Sequence, residues 1–374
     1  MNPTSTSLCT PPRLLVDGSS FYPEILDTLK QATKSILIEN YLVEDGELWG
    51  SVSETLLEAA DAGVKVFCIF DAFGSLGLHN DFDRLSLHPN ISIKLFNPIH
   101  IGLGFHNLRR THVKLFIVDE KIAYTGGAGI TDSFYQPSRA LSPWSEVMVK
   151  VEDQSIPELC SIFTWKFNAV GNKPRSLFIP LKGPNYIFQK RMVGWLYAHH
   201  FSTHWIKRAF YKKLSSANRR IWINSAYFFP TRKTIRFLVK KAQQGVDVRL
   251  LLPGVTDVVF MKYLARGRYK KLLAAGVTIH ELNDRFLHSK VILIDDWATL
   301  GSFNLDVFSF RFNHELNFAS TDSCFVSDIE GFFLSKLQSA IEIKPHEWTN
   351  RQLLSKLLER ITYRVAHFFV KLIK

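Results

Sequence analysis

Two apolar runs each carry an imidazole and an ammonium where a buried strand ordinarily has neither. "THVKLFIVD" (111–119) places His112 two positions before Lys114 and ends on Asp119; "LHSKVILID" (287–295) places His288, Lys290 and Asp295 at the same spacing. Successive side chains of a strand point to opposite faces, so His112 projects with Lys114 and His288 with Lys290, while Val113 and Ser289 face the other layer. A lone His-x-Lys says little. Two such strands brought face to face offer two imidazoles flanked by two ammonium groups, a set suited to phosphoryl transfer. One neutral histidine attacks phosphorus, the other protonates the leaving alkoxide, and the lysines hold the non-bridging oxygens. Only histidine can fill both roles from one residue type near neutral pH. No cofactor or metal is expected, because fixed cations replace it.

The elements that must position these residues repeat as well. "QATKSILIENYLVEDG" (31–46) corresponds to "SSANRRIWINSAYFFP" (215–230), and "LLEAADAGVKVFCIFD" (56–71) to "LVKKAQQGVDVRLLLP" (238–253). In the second pair a helix closes on Gly63 or Gly245 and feeds an apolar strand. A third strand, "ISIKLFNP" or "GVTIHELND", precedes the His-x-Lys strand. A glycine turn and another strand, "WSEVMVKVE" or "HELNFAST", follow it. This alternation predicts an α/β fold of two similar lobes, 12–152 and 215–344, each a sheet flanked by helices. Pseudo-twofold symmetry would place one active site at their interface. The stretch 153–214 predicts a mostly helical connector. Within it His200 and His204 have i, i+4 spacing but no glutamate to complete a zinc site, so they read as packed or solvated.

Around the doubled motif, "TGGAG" (with Gly126 and Gly127) and "GSFN" (with Ser302 and Asn304) can bring backbone N–H groups and small side chains to a phosphate. Glu146 and Glu315 lie on the following strands, where a carboxylate can fix a histidine tautomer. Asp119 and Asp295 close the His-x-Lys strands and are expected to hold backbone and basic groups instead of substrate.

These runs match the His-x-Lys-x4-Asp signature of the phospholipase D superfamily. With "ILIENYLVEDG", "INSAYFFP" and "FNHELN", residues 12 to 325 resemble bacterial cardiolipin synthases, particularly shorter ones without N-terminal membrane spans. The resemblance implies that His112, Lys114, Asp119, His288, Lys290 and Asp295 form the catalytic set. It implies a phosphohistidine intermediate, with His112 as nucleophile and His288 as acid and base, and phosphatidylglycerol as donor with glycerol released. Phosphatidylethanolamine is a further possible substrate, and the implied location is peripheral, on the cytoplasmic face of the bacterial inner membrane. The sequence departs from the family at Gly129, where asparagine is usual and where the second half has Asn304. Thr131 and Asp132 are the candidates to compensate.

Composition bounds the partners. The 374 residues carry a formal charge of +12 and a pI near 9.4, which points to an anionic partner, lipid headgroup or nucleic acid. Four scattered cysteines form no C-x-x-C pair, so neither a zinc site nor a disulfide framework is expected. The first thirty residues lack a signal-peptide pattern, and no stretch reaches the roughly 18 apolar residues a spanning helix needs, so a soluble or peripheral protein is expected.

"NPIHIGLGFHNLRRTH" (97–112) offers Ile99, Ile101, Leu103 and Phe105 for acyl chains, and His106, Asn107, Arg109 and Arg110 for a headgroup. "MKYLARGRYKK" (261–271) reads equally as a second phosphate site or a solvated helix face. Residues 345–374 form a basic amphipathic C-terminal segment. Leu354, Leu357, Leu358, Ile361, Val365, Phe368 and Leu372 recur at three- and four-residue steps against a basic face, which suits an anionic membrane surface. The competing readings are a lipid hydrolase yielding phosphatidic acid and a nuclease of the same superfamily. The apolar loop and tail weigh against nucleic acid, and two intact His/Lys pairs weigh against a non-catalytic binding module. Oligomeric state is not legible.

Overall fold

The computed structural model describes residues 10–99, 107–139, 143–171, 192–199 and 204–372. In chain order the first lobe runs β1 (Arg13–Val16), α1 (Gly18–Lys30), β2 (Ser35–Asn40), α2 (Glu47–Asp61), β3 (Lys65–Asp71), α3 (His79–Leu85), β4 (Ile91–Phe96), β5 (Leu115–Val118), β6 (Ile122–Gly126), β7 (Trp144–Ser145), β8 (Val147–Val151) and α4 (Ile156–Ala169). The second runs β9 (Gly194–Ala198), α5 (Trp205–Ser216), β10 (Arg220–Asn224), β11 (Phe228–Phe229), α6 (Arg232–Gln243), β12 (Asp247–Pro253), α7 (Val259–Leu273), β13 (Thr278–Leu282), β14 (Phe286–Leu287), β15 (Val291–Ile294), β16 (Trp297–Gly301), β17 (Leu305–Asp306), α8 (Val307–Arg311), β18 (Glu315–Ser320), α9 (Ser323–Gln338) and β19 (Ala340–Glu342). The chain continues through α10 (Pro345–Thr349) to α11 (Leu353–Leu372).

The first sheet has the order β1-β8-β6-β5-β2-β3-β4 and the second β9-β18-β16-β15-β10-β12-β13-β19. Strand for strand these are one topology, with β19 added at an edge. Each sheet is mixed. The β2–β3–β4 and β10–β12–β13 pairings are parallel, whereas β5 and β15 join antiparallel to β2 and β10. The parallel centre explains why "SILIEN" is buried at all six positions, since helices cover one face and the other lobe the opposite one.

The expected connector is revised by this topology. β9 pairs antiparallel with β18, Glu315 opposite Ala198, and so is the second-lobe counterpart of β1. Residues 194–216 therefore open the second lobe, and α4 completes the first as α9 completes the second. The strand escaped notice because "GWLYA" is short and sits among basic and aromatic residues. His200 lies outside the described residues. His204 caps α5 through the Lys207 N–H, and its Nε2 lies 2.8 Å from the Ser309 carbonyl, a packed histidine.

Three large apolar clusters, beside a small one around Phe229 and Leu264, organise the described residues. One lies between the first sheet and α1–α3, and one between the second sheet and α5–α7. The third is shared. Leu115, Val147 and Val149 meet Val291, Leu300 and Phe318 across the lobe boundary, sealed by Phe163 of α4 and Phe333 of α9. A core common to both lobes makes their relative position a property of packing and not of a tether.

A polar network is buried beside that core. Lys166 of α4, fully buried, donates to Glu39 of β2 and to the Thr111 hydroxyl at 2.7 Å, and its ammonium lies 4.8 Å from the Phe96 ring centroid. Removing one member leaves an uncompensated buried charge, which costs more than the pair contributes. Lys166→Ala and Glu39→Ala should each lower unfolding stability by about 3–5 kcal/mol. The Glu39→Leu/Lys166→Met double variant should recover much of that loss in chemical denaturation.

Candidate active site

The turns after the His-x-Lys strands are held from behind. Asp119 (φ 53) and Asp295 (φ 50) adopt the left-handed conformation. Asp119 accepts from the backbone N–H groups of Thr33, Lys34 and Ser35, and Asp295 from those of Asn218, Arg219 and Arg220. Burial works to raise both carboxyls, but these hydrogen bonds outweigh it and hold them below the usual carboxylate range. Neither aspartate lines the cavity that receives the histidines. They tie the far end of β5 and β15 to the start of β2 and β10, as expected of residues that do not touch substrate.

At the near end each lobe borrows from the other. The His112 N–H donates to the His314 carbonyl (2.8 Å), and the His288 N–H to the Ser145 carbonyl (2.8 Å). β14, just before His288, pairs in parallel with β7, just before Glu146; Thr111 bridges to His314, just before Glu315. These matched pairings are reciprocal, and they bring each glutamate to the opposite histidine. His112 Nδ1 lies 3.0 Å from Glu315 Oε2 and 3.0 Å from the Ser302 carbonyl; His288 Nδ1 lies 2.6 Å from Glu146 Oε2. With two acceptors facing His112 Nδ1, the proton must sit there, which frees the Nε2 lone pair. The sequence placed both glutamates beside histidines but left the pairing open.

Both imidazoles and Lys114 open onto one cavity of about 660 Å³. Its walls are mainly apolar and aromatic, including Tyr41, Leu42, Phe134, Trp144, Val258 and Met261. The Tyr41 ring centroid lies 5.2 Å from that of His112, edge on; Phe134, Trp144 and Phe286 lie 5.1, 5.3 and 5.4 Å from His288. The lysines are packed inside the strand layer. Lys114 donates to the His112 carbonyl at 2.7 Å, while Lys290 Nζ sits 2.8 Å from His288 Nδ1 and 3.0 Å from Nε2.

Burial, then the neighbouring lysines, hold both histidines below their ordinary value, His288 further than His112. Burial pushes Lys290 down to about 8 against the pull of Glu146 and Glu315, and moves Lys114 well below its ordinary value. Burial pushes Glu146 up to about 7 against Lys290; burial works to raise Glu315 as well, but His112, Lys114 and the Ser302 hydroxyl together outweigh it and keep that carboxyl low.

The glycine turns divide. A side chain at Gly127 would collide with the Glu146 carboxylate; its counterpart Ser302 instead donates to Glu315 Oε2 at 2.5 Å. Gly126 packs on the Val147 carbonyl, behind the wall. Gly129 and Asn304 both line the cavity. A Cβ at Gly129 would lie 2.8 Å from both Cβ and carbonyl O of Leu42, so Leu42 fills the room a larger residue requires. Neither expected substitute restores an amide there. Thr131 donates to Glu44, and Asp132 accepts from the N–H groups of Glu47 and Leu48 at the start of α2.

Of the loop before His112, Ile99, Asn107 and Arg110 line the cavity and Arg109 does not; Ile101, Leu103, Phe105 and His106 lie outside the described residues. Arg110 departs from the expected headgroup role. Its Nη1 donates to Asp71 at 3.0 Å and its Nη2 to the Asn97 carbonyl at 2.7 Å, so its charge is matched within the protein. Asp71 also accepts from the Thr111 N–H (2.9 Å), which makes Arg110 part of the clamp on the His112 strand. In α7 the basic residues turn away from the cavity. Arg266 pairs with Glu281, and the Arg268 guanidinium lies 3.9 Å from the Tyr363 ring centroid. Tyr41, Trp144, Tyr227, Asp257 and Asp306 also line the site and were not anticipated. Only the position of Tyr41 and Tyr227, just past matched strands, gave a signal.

The charges imply a narrow pH profile. Below about 7, Glu146 is protonated and cannot support an imidazolium at His288; above about 8, Lys290 loses the positive charge beside that imidazole. For turnover of a phosphodiester substrate, kcat/KM should rise through about 7 and fall through about 8. Glu146→Gln should lower kcat by about 10²-fold and abolish the rising limb.

Comparisons with known proteins agree with this geometry. The family model described as "Cardiolipin synthase, PLD-like domain" matches residues 25–170 and 210–337. Cardiolipin synthase 1 of Bacillus anthracis is 30% identical over 361 residues, covering 94% of this chain and 71% of that protein. The cardiolipin synthase of Halalkalibacterium halodurans is 28% identical, covering 96% and 72%. A solved structure, phosphatidylserine synthase of Haemophilus influenzae, shares the fold with a TM-score of 0.73 at 13% identity, covering 97% of this chain and 94% of that one. With both lobes matched and the two histidine sites intact, the chain belongs to the cardiolipin synthase family with its phospholipase D-like domains.

Proposed function

We propose that this chain is a membrane-peripheral phosphatidyltransferase that joins two phosphatidylglycerol molecules into cardiolipin and releases glycerol. The observation that carries the reading is the facing pair of histidines on one apolar-walled cavity, each held at Nδ1 by a carboxylate of the opposite lobe. His112 Nε2 attacks the donor phosphorus, the bond to glycerol breaks, and the glycerol oxygen takes the proton from His288 Nε2. Ionised Glu315 supports the charge that develops on the phosphorylated His112. The acceptor hydroxyl then gives its proton to His288 while its oxygen displaces His112 from phosphorus, restoring both residues. Lys114 and Lys290 hold the non-bridging oxygens throughout. In the empty site burial and Lys290 keep His288 neutral; the negative phosphodiester offsets the lysines and returns its proton affinity.

Two features, the apolar mouth and the tail helix, support a lipid surface as partner, with the cytoplasmic leaflet as the expected face. No helix among the described residues is long and apolar enough to cross a membrane. Phe73, Ile99, Val258 and Phe308 line the cavity and are all exposed, so its mouth is ringed with hydrocarbon. The tail helix packs along α7, with Tyr363 against Gly267 and the Arg268 guanidinium. Arg351 pairs with Glu359 at 2.6 Å, and the Tyr363 ring lies 5.8 Å from Phe229. Its apolar stripe, Leu357, Leu358, Ile361 and Val365, faces outward at 41–53% exposure. The side chains of Leu354, Arg360, Phe368 and Leu372 lie outside the described residues. An outward apolar stripe beside basic residues suits an anionic interface.

Purified protein incubated with phosphatidylglycerol vesicles should yield cardiolipin and glycerol by mass spectrometry. Phosphatidic acid as sole product would make the protein a hydrolase. His112→Ala and His288→Ala should each reduce turnover by at least about 10³-fold; full activity in either sinks the paired-histidine mechanism. Ile361→Glu/Val365→Glu should leave folding intact, since both positions are exposed, and should weaken sedimentation with anionic vesicles about tenfold or more.

A further inference from the structure

The cavity is symmetric in its histidines but not in its ends. The strands β3 and β12 occupy matched places, and each is followed by a loop that reaches the mouth. The loop after β3 contributes Phe73; the loop after β12 contributes Val258 in the same manner but adds Asp257. A carboxylate there is unexpected, because a site that must draw in a phosphodiester loses attraction with every anion on its wall. Tyr227 explains its use. The Tyr227 hydroxyl donates to Asp257, 2.7 Å from one carboxylate oxygen and 2.9 Å from the other. Its one proton is thereby spent, and the pair presents only acceptors: the tyrosine lone pairs and the remaining carboxylate lone pairs. Such a pair repels phosphate and welcomes a hydrogen-bond donor. It also stands on the His288 side, the Tyr227 ring centroid 6.4 Å from that imidazole and edge on, with Asn304 accepting from the Tyr227 N–H.

We propose that Tyr227 and Asp257 form the subsite for the headgroup alcohol, binding the hydrogen-bond-donating group, hydroxyl or ammonium, of the alcohol that leaves and of the one that replaces it. The inference rests on the transferase reading and adds to it which part of the cavity holds the alcohol. That part of the cavity must adjoin the acid/base histidine, since the alcohol oxygen exchanges its proton with His288, while the diacylglycerol portion leaves through the apolar mouth. Water lacks the second donor group this subsite reads, so the pair favours transfer over hydrolysis. Tyr227 and Asp257 are in this sense residues that set specificity.

The test uses the full-length protein on phosphatidylglycerol vesicles with isotope-labelled glycerol or with ethanolamine as acceptor. Labelled phosphatidylglycerol, phosphatidylethanolamine and phosphatidic acid are quantified together. In Asp257→Asn and in Tyr227→Phe the ratio of transfer to hydrolysis should fall about tenfold, the worth of one hydrogen bond to a charged group. General damage to the site would lower both products together and leave that ratio unchanged. A fall with both acceptors shows that the subsite reads hydroxyl and ammonium alike, a fall with glycerol alone identifies the hydroxyl, and a fall with ethanolamine alone the ammonium. An unchanged ratio in both variants, with the wild type active, overturns the subsite. A wild-type protein that forms no lipid product overturns the transferase reading, and the subsite with it.

Discussion

Everything in the site depends on two backbone hydrogen bonds that cross the lobe boundary, from the His112 N–H to the His314 carbonyl and from the His288 N–H to the Ser145 carbonyl. Each fixes the residue before a glutamate, so Glu315 and Glu146 arrive at the histidine of the other lobe. Neither lobe holds a complete acid/base unit. The shared core between the sheets is what makes this exchange dependable, because carboxylate–imidazole distances of 2.6 and 3.0 Å tolerate little displacement of one lobe on the other.

On that symmetric frame the two halves have diverged, in the sense that the proposed division of roles between His112 and His288 requires. Behind His112, Glu39, Lys166, Thr111, Asp71 and Arg110 form a buried ionic clamp. At the position matching Glu39, β10 carries Asn224, which donates to Ser289, a neutral arrangement. The histidine environments differ in the same sense. Glu315 is kept low against burial by His112, Lys114 and Ser302 together, while burial brings Glu146 to about 7 beside a lysine at about 8. A fixed anion suits the residue that must carry phosphorus and positive charge together. A carboxylate and an ammonium poised near neutrality suit the residue that must gain and lose a proton in each half-reaction.

The turn after His112 shows how a departure from the repeat is accommodated. Leu42 occupies the room that a side chain at position 129 would need, so glycine there is part of a local packing solution. One wall thus carries the Asn304 amide and the other an isobutyl group.

By itself the sequence determined the two lobes, the apolar strands that follow each His-x-Lys (the expected strands begin only at Leu115 and Val291, just past the lysines), the aspartates at the ends of those strands, and the neighbourhood of Glu146 and Glu315. These follow from period-two alternation and from an internal repeat, both of which are local patterns. The tertiary structure decided the rest. It assigned "GWLYA" to the second sheet, because an edge strand is recognised by its partner and not by five residues of pattern. It turned Arg110 from the substrate toward Asp71, and it brought Tyr227 and Asp257 together across thirty residues. Above all it crossed the glutamates between lobes. A repeat announces that two equivalent strands exist, but which copy completes which site depends on packing two sheets face to face, and no spacing along the chain encodes that contact.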